Sequence, residues 1–83
     1  MICVKELKSG DYFTYYGKFY EFLDICTLSF NFTDKTKDTN HNASINLYRT
    51  INLETKKIEL FNENDEVELV DTKVVELLKV KYL

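Results

Sequence analysis

From Ala43 to Leu53 apolar and polar side chains alternate. Ala43, Ile45, Leu47, Ile51 and Leu53 fall on one parity; Ser44, Asn46, Tyr48, Thr50 and Asn52 fall on the other. Arg49 is the one charged residue on the apolar parity. A period of two marks a strand with one buried face, because successive side chains leave a pleated strand on opposite sides. The alternation places Ile45, Leu47, Ile51 and Leu53 inward and Tyr48 outward. Ile58 and Leu60, then Val67 and Leu69, continue the period, interrupted by turns at Glu54–Lys57 and Asn62–Asp65.

The N-terminal half has the same character. Val4 and Leu7 lead into a turn at Lys8-Ser9-Gly10-Asp11, Asp11 to Tyr16 reads as a strand, and Tyr16-Gly17 is a turn signal. Lys18 to Phe32 is one long extended run. Tyr20, Phe22, Cys26, Leu28, Phe30 and Phe32 share one parity, with Phe19, Leu23 and Ile25 on the other. A strand apolar on both sides suits a small barrel that curls over its core, or a second face covered by a partner. Asp34 to Asn42 is a polar loop. At the C-terminus Asp71-Thr72 can cap a helix carrying Val74, Val75 and Leu78, but Leu78, Val80 and Tyr82 alternate with lysines, and the β-branched content favours a strand. The expected architecture is all-β: one domain over residues 1–83, a five- or six-stranded antiparallel barrel or rolled sheet with a C-terminal strand or short helix.

The order Leu7-Lys8-Ser9-Gly10-Asp11-x-Phe13, Gly17-Lys18-x-Tyr20, Asn52-Leu53-Glu54-Thr55-Lys56-Lys57, Phe61 and Glu66-Val67-Glu68-Leu69-Val70 resembles the N-terminal KOW-type barrel of elongation factor P. It is also similar to small phage proteins of the same plan. The resemblance implies a small barrel. It does not carry over the translation role, which depends on a lysine in a loop flanked by Gly and Pro. Here Lys35 and Lys37 lie between Asp34, Asp38 and threonines. Residues with AT-rich codons (Phe, Tyr, Met, Ile, Asn, Lys) number 35, against four with GC-rich codons (Gly, Ala, Arg, Pro), which points to an AT-rich bacterium or one of its phages.

Eleven basic and 14 acidic residues give a net charge of −3, the wrong sign for a nucleic-acid binder, and no basic stripe is present. No apolar run approaches the roughly 20 residues of a membrane helix, and Met1 to Lys8 lacks a signal-peptide core. A cytoplasmic setting is expected, that of the host if the chain is phage-encoded, with Cys3 and Cys26 as reduced thiols. One histidine, His41, and two distant cysteines are too few for a zinc site, so no metal or cofactor is expected. Cys26 and His41 form a nucleophile–base pair only on paper, because Cys26 falls on an apolar parity. The chain therefore reads as non-catalytic.

Seven of the twelve aromatics lie between Tyr12 and Phe22, more than one face of a hairpin can bury. With Phe13 and Tyr15 inward, Tyr12 and Tyr16 point out, as does Tyr48; if their strands are neighbours the three form one tyrosine platform of the kind that anchors protein partners. Glu63, Asp65 and Glu66 belong to an acidic run that suits a basic partner. The sequence thus predicts a cytosolic module that binds and inhibits a host or defence protein through Tyr12, Tyr16, Tyr48, Glu63, Asp65 and Glu66. The alternative is a homo-oligomer that sequesters a nucleotide or small signalling molecule.

Overall fold

A computed structural model describes the backbone of residues 1–34 and 39–82, and the side chains of all of these except residues 34 and 39–41. Among the described residues the strands are β1 (Ile2–Cys3), β2 (Tyr12–Tyr15), β3 (Lys18–Asp34), β4 (Thr39–Asn52), β5 (Ile58–Asn62) and β6 (Glu66–Leu69); one α-helix, α1, spans Thr72–Tyr82, and Val4–Glu6 form a single 3-10 turn. All pairings are antiparallel, in the order β1-β6-β2-β3-β4-β5. Residues 35–38 of the expected polar loop lie outside the described residues, and residues 39–42 belong to β4 rather than to a loop.

The sheet is open but rolled. β5 and β6 are joined by only three residues, yet lie at opposite sides of the sheet order. So short a link reaches only ~13 Å, which requires the sheet to curl until its ends meet. The Val4 and Lys5 amides donate to the Asp65 and Glu63 carbonyls across this junction, at 2.9 and 3.2 Å. Phe61 of β5 reaches back to rings from the other side of the roll: Phe13 at 5.4 Å, Tyr15 at 5.0 Å and Tyr20 at 5.2 Å between centroids. With Val4, Leu7, Phe22, Tyr48 and Val67 they form the core.

β4 buries the parity opposite to the one its alternation suggests. Tyr48, Thr50 and Asn52 are buried, Ile45 is 47% exposed, and Leu47 and Ile51 are half-buried. Of the residues expected inward, only Leu53 is buried, and Tyr48 is a core residue rather than a platform residue. The polar side chains are buried because each is satisfied. The Thr50 hydroxyl donates to the Glu59 carbonyl at 2.9 Å, and the Asn52 amide donates to the Glu59 carboxylate at 3.0 Å. Asn52 Oδ1 accepts from the amides of Glu54 and Thr55, at 2.9 and 3.2 Å, and so closes the β4–β5 turn. A satisfied buried polar group loses no hydrogen bond on leaving water, so the interior tolerates it.

β3 also changes sides. Its register with β4 slips between Phe22 and Asp24, so that Phe22 pairs with Thr50 but Asp24 pairs with Arg49. Leu23 is the extra residue of a β-bulge, and a one-residue slip exchanges the faces. Tyr20 and Phe22 therefore face the core, whereas Cys26, Leu28, Phe30 and Phe32 face outward; they do not form one stripe. The C-terminal segment is a helix and not a strand. Asp71 caps it, its carboxylate accepting from the Lys73 amide at 2.8 Å and its carbonyl from the Val75 amide at 3.0 Å. Leu78 is its buried residue, and Lys56 Nζ donates to the Tyr82 carbonyl.

The Tyr20 phenol titrates above the ordinary tyrosine range, first through burial and then through the neighbouring Glu59 carboxylate, to which it donates at 3.3 Å. A raised acid pKa favours the neutral phenol in the folded state. Its stabilisation is complete below about pH 10 and is lost as pH rises through the raised value. Urea midpoints are expected to fall above that pH, and to fall less steeply in Tyr20→Phe; equal slopes would remove Tyr20 from the alkaline transition.

Candidate functional site

The β2–β3 connection is a two-residue hairpin between paired Tyr15 and Lys18. Its central residues, Tyr16 and Gly17, have φ of 49° and 76°. Positive φ at both positions defines a type I′ turn, whose first place favours Asn, Asp or Gly. An L-residue with a Cβ loses roughly 1–2 kcal/mol there. A tyrosine therefore occupies a place that the turn chemistry disfavours, and its side chain is 87% exposed. Tyr15 holds it from one side, the rings meeting edge to face at 4.5 Å.

Tyr16 stands at the rim of a groove of about 490 Å³ lined also by Met1, Tyr15, Asp65, Glu66 and Glu68. Glu68 arrives because β6 pairs with β2, placing it opposite Thr14. Asp65 has a structural duty too: its carboxylate accepts from the Asn62 amide at 2.9 Å and closes the β5–β6 turn. The Tyr15 phenol is raised above its ordinary range by desolvation, then by Asp65 and Tyr16. No lysine or arginine lines the groove among the described residues.

Three of the six residues expected from the sequence thus meet here: Tyr16, Asp65 and Glu66. Tyr12 does not. It is half-buried in β2 opposite Glu21, and its phenol is raised by burial and then by that carboxylate. Glu63 lines a separate notch with Ser44, Ile45 and Asn62. Tyr48 is in the core. Cys3 and Cys26 are free thiols. Cys26 is in register with Leu47, six residues along β4 from His41, a strand distance of ~20 Å.

The sequence reading missed the largest surface feature. Beyond the bulge, β3 and β4 extend as a two-stranded arm from the rolled head, giving a chain 57 Å long and 24 Å wide. Cys26, Leu28, Phe30 and Phe32 pair in register with β4, as do Leu47, Ile45 and Ala43 opposite the first three of them, on one face of the arm. Ile51, Ile58 and Leu60 continue this face over the outer side of the head. The opposite face of the arm carries Thr27, Ser29, Asn42, Ser44 and Asn46, with the Thr27 hydroxyl donating to Asn46 Oδ1 at 2.8 Å. The signal was present as alternation in both strands, but the bulge that assigns it to the outside has no sequence mark.

No protein-family model, curated protein or solved structure matches this chain. Among the described residues, no helix is long and apolar enough to cross a membrane.

Proposed function

We propose that this protein is a non-catalytic interaction module that docks on a protein partner through the groove at the β2–β3 turn, with Tyr16 as the anchor. The observation that carries this reading is Tyr16 itself, a tyrosine in a left-handed turn position, 87% exposed beside carboxylates. Tyrosine offers a large, rigid contact area at a low entropic cost, which suits the centre of an interface. Asp65, Glu66 and Glu68 favour a basic patch on the partner and speed its approach. They also oppose the phosphates of a nucleotide, which weighs against a nucleotide-sequestering role. The AT-rich composition suggests the specific form, a phage product that occupies and blocks a host or defence protein.

Tyr16→Asn tests this reading, because Asn is a preferred residue at the same turn position. The variant is expected to be as stable as the parent, or more stable by up to ~1 kcal/mol. It is expected to lose at least about tenfold in affinity for the protein that the parent retains from host lysate. Glu66→Gln with Glu68→Gln should mainly slow association, and less so at high salt. Equal retention by Tyr16→Asn and the parent would exclude the groove as the docking surface.

A further inference from the structure

We infer that the apolar outer face of β3, β4 and β5 binds a second copy of this chain, so that the protein is a face-to-face dimer. Leu28, Phe30, Phe32, Ile45, Ile58 and Leu60 are each 45–56% exposed on this face. About half of a large apolar side chain is ~100 Å², so the six leave roughly 600 Å² uncovered, and half-buried Cys26, Ala43, Leu47 and Ile51 extend the patch. That is at the upper limit for the largest apolar patch of a monomer, and it approaches the ~800 Å² per partner of a standard stable interface.

Charge selects a copy of the same chain as the occupant. From Ile25 to Thr33 and from Thr39 to Tyr48 there is no Asp, Glu, Lys or Arg, although 30% of the chain is charged. Among the described residues, Asp24 and Arg49 on this face neutralise each other in a bidentate pair of 2.6 and 3.0 Å, and Glu21, in register with Ile51, stands at its head end. Two identical arms therefore meet without like-charge repulsion among the described residues, as a two-fold interface requires. A different protein would ordinarily be selected by complementary charge, and the described part of the arm offers none. Interfaces between identical chains are also the more apolar class. The arm supplies the geometry: its apolar face continues along β4 to Ile51, which pairs with Ile58 of β5, and packed sheets stack about 10 Å apart.

Sedimentation velocity on the full chain tests the inference. The parent is expected to sediment as a dimer at concentrations on the order of 10 µM, as an interface of this size allows. Leu28→Lys combined with Phe30→Lys is expected to keep the circular-dichroism spectrum and thermal transition of a folded protein, since both side chains are surface residues of the single chain. It should weaken dimerisation at least about a hundredfold. Ser29→Lys, between them on the opposite face, should remain a dimer, and so should Tyr16→Asn, which separates this surface from the groove. A monomeric parent, a folded Leu28/Phe30 variant that still dimerises, open-ended aggregation without a discrete dimer, or dissociation by Ser29→Lys would each overturn the inference.

Discussion

A Tyr48→Asp variant is expected to be unfolded at room temperature, whereas Leu47→Asp, one residue earlier, is expected to fold. Tyr48 is 5% exposed and packs on Phe22 at 5.9 Å between ring centroids. A carboxylate there would be buried without a partner, at a cost of several kcal/mol. A domain has only about 5–15 kcal/mol in total, and one this small lies near the lower end. Leu47 sits half-buried on the outer face, where an aspartate remains in reach of water. Circular dichroism and thermal melting of the two variants check the assignment of faces. A folded Tyr48→Asp with an unfolded Leu47→Asp would restore the parity that the alternation suggests.

Phe13→Ala is expected to cost about 3–5 kcal/mol in urea unfolding, the range for a fully buried aromatic. Phe13 is fully buried, stacked on Tyr20 at 5.3 Å and edge-on to Phe61 at 5.4 Å. It joins β2, β3 and β5, and its loss would leave a cavity where the roll closes. Phe30→Ala provides the contrast. Although also an aromatic in a strand, it should change single-chain stability by no more than about 0.5 kcal/mol. Similar losses in both variants would show that the arm is part of the cooperative core.

Strands, turns and the antiparallel class of the fold were legible in the sequence because period-two patterning and the glycines at positions 10 and 17 report local backbone geometry; the strand order was not. The faces were less legible, for identifiable reasons. In β4 both parities carry plausible core residues, and the choice is made by Glu59, whose carboxylate and carbonyl satisfy Asn52 and Thr50 from the neighbouring strand. No local reading of residues 43–53 contains that partner. In β3 the bulge at Leu23 divides an unbroken apolar parity into an inner and an outer part. At the C-terminus the alternation of Leu78, Val80 and Tyr82 was real, but the Asp71 cap prevailed. Of the candidate site, the sequence puts Tyr16 outward as part of a strand, whereas its exposure arises from the left-handed turn position that follows β2. Its meeting with Asp65 and Glu66 depends on β6 returning beside β2, which is a property of the topology.

The bulge at Leu23 uncouples the two halves of one strand. Before it, a substitution on the Tyr20–Phe22 parity of β3 changes the core; after it, a substitution on the same numerical parity changes only the outer surface. One continuous strand thus holds two sets of positions with separate physical consequences, one for the core and one for the outer surface. A change at Leu28, Phe30 or Ile45 alters the outer surface of the arm without drawing on the packing of the head.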